Sequence, residues 1–366
     1  MIVYFICLFI VCMLAYIGDR CRAEKCYRGE VNIKKVPPNI FVVMIFLLFC
    51  FLYAFRWRVG TDFTGYYLGY MSYGQANIIE LVGKRDWGFS VISCLAYKVF
   101  NGNFQLYNMV LGTITYFPVL YIYRKYSEDL FLTLFLYMTT LTCFWPYNGV
   151  RQSLAGSICF GAFSFLCNRK YIQYIACVII ASIFHATALV MLPLMLFLIM
   201  KPWSKKVIFL IGALIISVLF LGNIWTVIIE FLSFMGQDKM VSDYGNALIV
   251  TNGINGLRIV VAIIPVILAY LMHSNGLDFN NRQIQILENM IVLGAIFMFA
   301  ASRLTILARF SSYFSFAVPL LFPRFKKIFT RESSKVFIVI VMICYIAYMA
   351  MLLPMESNLV PYKFCF

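Results

Sequence analysis

The sequence has few charged residues and no polar stretch long enough to fold as a separate soluble domain. Charged residues make up 12% of the 366 residues, whereas soluble domains carry about a quarter. Hydrophobic residues make up 63%, aromatic residues 18%, and the mean hydropathy is +0.87. This composition excludes an ordinary soluble protein. It predicts an all-α polytopic membrane protein that forms one integral membrane domain over residues 1–366.

The sequence also lacks the motifs of several enzyme classes and of metal sites. No Ser/His/Asp arrangement, HExxH motif or P-loop occurs in it. Its 12 cysteines are scattered, mostly within apolar runs, as is typical of small buried hydrophobic side chains. Cys21 and Cys26 lie in a basic loop that has no histidine or second cysteine pair to complete a zinc site. The sequence therefore predicts no metal and no cofactor.

Apolar runs near the length of a membrane span follow one another along the chain. A spanning helix needs about 20 mostly apolar residues. About twelve candidate transmembrane helices are predicted on this criterion, at residues 1–17, 39–55, 104–123, 130–146, 150–167, 171–185, 187–200, 207–221, 257–273, 285–302, 305–323 and 335–353.

Positive charge lies in the loops between these runs, which explains the net charge of +15 without a nucleic-acid partner. If loop 18–38 is cytoplasmic, the basic residues near positions 124, 169, 201–206, 282 and 324–335 are cytoplasmic too. Two long segments, 56–103 and 222–256, are then outer loops, and both termini lie outside. The apolar part of the first loop is too short to span, so residues 86–100 are predicted to form an amphipathic helix at the outer interface, with Trp87 as an anchor. The second loop is either a binding loop or a solvated connector.

Arginines dominate the outer basic residues and mostly stand at helix ends: Arg56, Arg58, Arg85, Arg151, Arg258, Arg303 and Arg309. Any one of them has a plain interpretation, because a long side chain near a helix end snorkels to the interface. As a set they favour a ligand, because lysine snorkels equally well and arginine is the residue suited to bidentate phosphate contact. Gly60 would let backbone approach such an anion closely. The sequence therefore predicts binding of a lipid phosphate or pyrophosphate.

Asp62 and His185 are the outer titratable residues in the most suggestive settings. Asp62 follows a glycine and a threonine and is either a helix N-cap, a partner of Arg58, or a general base. His185 stands at the junction of two apolar runs and is either a packed histidine or a general base.

Five sequence segments in a fixed order resemble the EpsG-like family of polysaccharide polymerases, which belongs with the Wzy-type O-antigen polymerases. They are RWRVGTDFTGYY, YNGVRQSLAGS, ASIFHATALV, ARFSSYF and the terminal LVPYKF. The resemblance covers the chain from about residue 40 to the end.

The resemblance implies a glycosyltransferase of the bacterial inner membrane with a GT-C-like helical fold. It would join oligosaccharide repeat units carried on undecaprenyl pyrophosphate at the periplasmic or outer face, without a metal, and would work with a chain-length-determining co-polymerase. The family's motif positions fall here on Arg56, Arg58, Gly60, Asp62, Arg151, Gln152, His185, Arg309 and Tyr313. We predict Asp62 or His185 as the catalytic base. The predicted pyrophosphate ligands are Arg56 or Arg58 with Arg151, Arg303 and Arg309.

Two other functions remain open at this point. A flippase for lipid-linked oligosaccharides would need charged residues along a whole translocation path, whereas the charges here cluster at the outer helix ends. An acyltransferase that uses His185 would need a donor site among the cytoplasmic loops, where the sequence shows none.

Overall fold

The computed structural model describes residues 1–27, 39–220, 230, 254–277, 281–355 and 358–365. Helices dominate because a backbone within a membrane must satisfy its own hydrogen bonds. Within these ranges no strand forms, and a single antiparallel bridge joins Arg56 to Phe364. The predicted all-α fold is confirmed at this level.

The α-helices follow the apolar runs of the sequence, with additional short helices between residues 56 and 103. They are α1 (Ile2–Tyr27), α2 (Ile40–Phe55), α3 (Phe63–Gly74), α4 (Ile78–Leu81), α5 (Trp87–Val99), α6 (Phe104–Tyr126), α7 (Leu130–Thr139), α8 (Val150–Gly161), α9 (Phe163–Cys167), α10 (Tyr171–Phe184), α11 (Met191–Leu198), α12 (Lys205–Leu219), α13 (Gly256–Ser274), α14 (Arg282–Ala300), α15 (Ala308–Ser315), α16 (Ala317–Leu321) and α17 (Arg331–Leu352). Helices of 3₁₀ type cover Thr142–Tyr147, Ala186–Val190, Thr305–Leu307 and Phe322–Ile328.

Several of these helices are long and apolar enough to cross a membrane. In the described ranges there are 6 such segments: Ile2–Cys21, Val150–Cys167, Gly256–Ser274, Arg282–Ala300, Thr305–Ile328 and Arg331–Leu352. Shorter apolar helices lie at Ile40–Phe55, Trp87–Val99, Leu130–Thr139, Tyr171–Phe184 and Ala186–Leu198. The chain is therefore a multi-pass membrane protein, and the predicted count of about twelve spans stays a prediction.

The predicted span 130–146 is interrupted in the structure. Helix α7 ends at Thr139, and Leu141 adopts a left-handed backbone conformation with φ of 62°. A 3₁₀ helix that contains Pro146 follows, and α8 begins at Val150. Proline has no N–H to donate and fixes its own φ, so this segment does not continue as an α-helix.

The described chain divides into two compact units. The first consists of Met1–Leu194 with Pro319–Phe366, and the second of Met195–Val318. In the first unit α6 packs against α2 and α8, α7 packs against α1, and α10 packs against α8. Its core is rich in buried tyrosines, among them Tyr53, Tyr116 and Tyr147. In the second unit α14 packs against α12, α13 and α15.

The predicted outer loop 56–103 belongs to the first unit and folds into α3, α4 and α5. Helix α5 confirms the helix predicted at 86–100. It packs on α3, α6 and α10, with Phe89 and Cys94 buried and Leu95 and Val99 exposed. The other predicted outer loop, 222–256, lies outside the described residues apart from Glu230 and 254–256.

Candidate functional site

A buried carboxylate joins three elements of the first unit. Asp86 directly precedes α5, and its side chain is only 4% exposed. Its Oδ2 lies 3.2 Å from Nδ1 of His185 and 3.4 Å from Nη1 of Arg151. Its Oδ1 accepts the backbone N–H of Ala186 at 3.0 Å. A buried carboxylate needs such partners, and here they are a histidine, an arginine and a backbone amide.

Local sequence brings these side chains together. His185 directly follows α10 and Arg151 lies in the first turn of α8, so the packing of α10 on α8 places both at one end of the pair. Gly88, in the first turn of α5, allows α5 to lie close to α10. A Cβ at Gly88 would stand 2.4 Å from Cγ2 of Ile183 and 3.1 Å from its carbonyl oxygen. A larger residue at position 88 would therefore separate Asp86 from His185.

The surroundings of His185 keep its imidazole ring neutral. Burial lowers the pKa of His185 from its ordinary value of 6.5, although the hydrogen bond and charge of Asp86 raise it. The ring is therefore uncharged at neutral pH. When Nδ1 carries the hydrogen it donates to Asp86, and Nε2 then holds the free lone pair. Such a nitrogen accepts a proton from a hydroxyl group within hydrogen-bond reach.

Arg151 supplies a fixed positive charge beside this histidine. Its guanidinium carbon lies 5.0 Å from the centre of the Phe89 ring, and its side chain is 33% exposed. The Phe89 ring also contacts Tyr66, at 5.6 Å between ring centres. Burial raises the pKa of Tyr66 to about 12 in spite of the nearby Arg151, so its hydroxyl stays protonated at neutral pH. Asp86 holds one edge of the arginine, and the exposed part is able to meet an anion.

The first motif, RWRVGTDFTGYY, packs directly on the loop that leads to Arg151. Thr61 donates through its backbone N–H and its hydroxyl to Oδ1 of Asn148, at 2.7 and 3.1 Å. Gly60 has a φ of +97°, and a Cβ there would stand 2.4 Å from the carbonyl oxygen of Tyr147. Only glycine satisfies both the backbone conformation and this close approach. Gly60 thus joins two motifs.

The terminal motif, LVPYKF, and the residue before it also contact the first motif. Backbone hydrogen bonds run from Trp57 N–H to the Lys363 carbonyl at 2.8 Å and from Gly60 N–H to the Asn358 carbonyl at 2.9 Å. The segments RWRVGTDFTGYY, YNGVRQSLAGS and LVPYKF, which are far apart in sequence, are therefore neighbours in the first unit.

Arg56 lies in an internal position rather than at a surface for phosphate. Arg56 is 2% exposed, and its Nη1 donates to the Tyr53 carbonyl at 2.9 Å. Its guanidinium carbon lies 3.8 Å from the centre of the Tyr53 ring and 4.8 Å from that of Tyr147. Buried cation–π contacts of this kind contribute about 2 kcal/mol or more. Arg56 thus stabilises the packing of the motif, and its role as a phosphate ligand, which would need its guanidinium to become accessible, stays a prediction.

The remaining predicted residues of the first unit differ in exposure. Arg58 is exposed, with a φ of 52° and its guanidinium carbon 6.0 Å from the Trp57 ring centre. Asp62 is exposed, makes no cap hydrogen bond to α3 and accepts one from the Thr61 hydroxyl at 3.3 Å. Gln152 is buried, at 5% exposure.

Three predicted residues belong to the second unit. Arg303 and Arg309 are exposed, before and within the first turn of α15, and Tyr313 of the same helix is 1% exposed. Their part in a shared site with Arg151 stays a prediction. Among the residues that the structure describes, no group of three or more His, Cys, Asp or Glu side chains is arranged to hold a metal ion.

Asp86 is the functional residue that the sequence reasoning missed. The chain has only 15 acidic residues, and this one stands at the start of the predicted amphipathic helix, beside Arg85 and before Gly88. An acidic residue at the start of an otherwise apolar helix was a usable signal. Its pairing with His185 across 99 residues was not visible without the fold.

These features define a helical, multi-pass membrane protein with a buried carboxylate–histidine–arginine cluster in one of its units. The family comparison makes the assignment narrower. Residues 39–364 match the EpsG family, so the chain belongs to the EpsG family, a family of Wzy-type polymerase-like membrane proteins. No curated protein and no solved structure shows significant similarity to the chain.

Proposed function

We propose that this protein is a polysaccharide polymerase, a glycosyltransferase that joins oligosaccharide repeat units carried on undecaprenyl pyrophosphate. It would act at the outer face of a bacterial inner membrane, in the production of O-antigen, capsule or exopolysaccharide. Its helical fold would be of the GT-C type. The observation that carries the proposal is the cluster of Asp86, His185 and Arg151 in a chain of the EpsG family.

The reaction requires a base, an activated donor and a stabilised leaving group. His185 takes the proton from a hydroxyl of the acceptor, the newly delivered repeat unit, and that oxygen attacks the anomeric carbon of the donor, the growing chain. The bond between this carbon and the pyrophosphate oxygen breaks, and undecaprenyl pyrophosphate leaves with the electron pair. One glycosidic bond forms and one glycosyl-phosphate bond is lost.

Arg151 is the group placed to stabilise the leaving pyrophosphate. Its charge lies beside His185, and interactions with charge that develops in the transition state are often the largest single catalytic contribution. Arg58, Arg303 and Arg309 are further candidate pyrophosphate ligands. Neither a metal nor a soluble nucleotide sugar is needed in this scheme, because the donor already carries a pyrophosphate leaving group. Holding two lipid-anchored substrates together lowers the entropic part of the barrier.

The alternative proposal is a flippase for the same lipid-linked units. A flippase needs charged or polar groups along a complete path through the membrane. Within the described ranges the buried charged residues are few: Arg56, Asp86, Glu288 and Arg324. Asp86 and Arg56 each have local partners in the first unit, which favours the enzyme over the transporter.

Complementation tests the proposal in cells. A deletion strain that carries Arg151→Ala should make single repeat units but no long-chain polysaccharide, while the wild-type gene restores the long chains. Lys125→Ala is a matched control, because it also removes one cation from the first unit but lies in the last turn of α6, where its ammonium donates to the Ser164 hydroxyl. Full restoration of long chains by Arg151→Ala would contradict the proposed role of this residue.

A further inference from the structure

A concave site whose lining does not include Asp86 lies in the first unit, beside Trp57 of the first motif. It is a cavity of about 580 Å³, between α3, the start of α6 and the C-terminal segment. Its principal lining residues are four aromatic residues, Trp57, Tyr67, Phe104 and Phe364, and two amides, Asn103 and Gln105. Its volume is within the range of ligand sites in proteins.

The aromatic side of the cavity is rigid. The Tyr67 ring meets Phe104 edge to face, with ring centres 5.1 Å apart at 85°, and meets Trp57 at 6.1 Å and 75°. Phe104 is buried, whereas Trp57 and Tyr67 are half-buried. The last two rings are therefore fixed by their neighbours while part of each stays open to a ligand.

The amide side of the cavity carries hydrogen-bonding groups without charge. Oδ1 of Asn103 accepts the N–H of Leu106 at 3.0 Å and caps α6, so the amide NH₂ is the part of the side chain left to donate. Gln105 lies in the first turn of the same helix and offers both an acceptor and a donor. The described residues that line the cavity include no charged side chain.

We propose that this cavity is a saccharide-binding subsite for a neutral sugar residue. A pyranose has an apolar face of C–H groups, which suits an aromatic ring, and a rim of hydroxyls, which suits amides. A prenyl chain would match the rings but leave the amides covered and unsatisfied. An anionic group would find no cation in the lining.

The position of the cavity suits a substrate that also reaches Asp86 and His185. Adjacent residues of α3 face the two sites: Tyr66 contacts Phe89, on which Arg151 lies, and Tyr67 lines the cavity. An α-helix turns by about 100° per residue, so the two sites lie on adjoining sides of α3. The inference rests on the proposed function: the subsite holds one sugar of a repeat unit while another sugar of the same substrate reacts.

Calorimetric titration of the purified full-length protein in detergent tests the subsite. The probe is a set of lipid-free oligosaccharides, one to three repeat units long, cut from the polysaccharide of the strain that encodes the protein. Tyr67→Ala should weaken binding by about three- to tenfold, for the loss of one aromatic contact. Gln105→Ala should also weaken binding, for the loss of its hydrogen bonds to the sugar. Gln105 has no described packing role, so this variant reports on binding even if Tyr67→Ala folds poorly. Tyr73 lies on α3, as Tyr67 does, but outside the cavity lining, so Tyr73→Ala should bind like the wild type.

The outcomes separate the subsite from the polymerase. His185→Ala should abolish elongation of lipid-linked units and weaken oligosaccharide binding less than Tyr67→Ala does, because His185 contacts the reacting hydroxyl and not the sugar in the subsite. If wild type elongates and neither Tyr67→Ala nor Gln105→Ala weakens binding, the subsite is wrong and the polymerase stands. If wild type binds and both variants weaken binding but no elongation occurs, the subsite stands and the polymerase is wrong. The subsite is also wrong if the oligosaccharides do not bind to the wild-type protein. It is equally wrong if Tyr67→Ala and Gln105→Ala lose binding to sugar-free undecaprenyl phosphate to the same degree as binding to the oligosaccharides.

Discussion

Replacing Asp86 by asparagine perturbs the candidate site at its centre while it changes little in size. The asparagine oxygen can still accept the Ala186 N–H that Oδ1 accepts now. An NH₂ group then stands where Oδ2 stood, facing Nδ1 of His185 and a guanidinium nitrogen of Arg151. It can only donate, so His185 must accept at Nδ1 and carry its hydrogen on Nε2. The nitrogen that should take the proton is blocked, and Arg151 loses its charged partner.

The size of the effect follows from the role of the base. General acid–base catalysis contributes about 10²- to 10⁴-fold in rate, which corresponds to about 3–5 kcal/mol of activation free energy. Asp86 acts through His185 rather than on the substrate, so we expect the lower part of this range, a loss of about a hundredfold in kcat. The KM for the donor should change less, because the variant keeps the fold and most of the binding surface.

The assay is elongation of purified lipid-linked repeat units by purified protein, with products separated by length. The pH profile provides a readout that a merely structural role would not move. The Asp86 carboxylate raises the pKa of His185, so the residual activity of Asp86→Asn should persist to lower pH than that of wild type. Asp129→Asn is the matched control: it makes the same chemical change at the N-cap of α7, where asparagine caps as well as aspartate.

The alternative base provides the refuting result. Asp62 is exposed, and its carboxylate accepts a hydrogen bond from the Thr61 hydroxyl. If Asp62→Asn abolishes elongation while Asp86→Asn retains full kcat and an unchanged pH profile, Asp62 is the base and the assignment of His185 fails.

Three further predictions follow from the same structure. In wild type, kcat/KM should fall only below pH 6.5. Burial lowers the pKa of His185 from its ordinary value of 6.5, so the base becomes protonated only in more acidic solution. A loss of kcat/KM that begins above pH 7 would contradict this prediction. Gly60→Ala should abolish the folded, monodisperse protein in size-exclusion chromatography, because a Cβ would stand 2.4 Å from Tyr147 O, whereas Gly83→Ala, also at positive φ but with nothing within 4 Å, should cost only about 1–2 kcal/mol; equal behaviour of the two would contradict it. Arg151→Lys should elongate lipid-linked units more slowly than wild type, by a factor of about ten or more, because an ammonium cannot make a bidentate contact with pyrophosphate. A wild-type kcat in this variant would show that a point charge is enough.

Most of the helices could be predicted from the sequence, because an apolar run in a membrane has one dominant way to satisfy its backbone. The run 130–146 could not, because its end depends on Leu141, a residue that rarely adopts a positive φ, and on the packing of the following 3₁₀ helix. Helices α3 and α4 were not predicted either. They lie in a mixed polar and aromatic stretch where packing against α5 decides the structure.

The site was predicted only in part, for a related reason. His185 and Arg151 were found because a histidine and an arginine at helix ends are conspicuous in an apolar chain. Arg56 is equally conspicuous in the sequence, but the structure buries it among tyrosines. Asp86 was missed because its role depends on a contact across 99 residues with His185. Residue type indicated which groups matter, and only the packing of α5, α8 and α10 indicated which of them meet.

Reconstituted elongation tests the central claim most directly. Purified protein and lipid-linked repeat units, with no nucleotide sugar and no other protein, should yield a ladder of longer lipid-linked glycans. The ladder should be lost with His185→Ala and with Arg151→Ala, and retained with Asp129→Asn. If folded wild-type protein yields no product longer than one repeat unit, or if His185→Ala makes the same ladder as wild type, the polymerase site described by Asp86, His185 and Arg151 is contradicted.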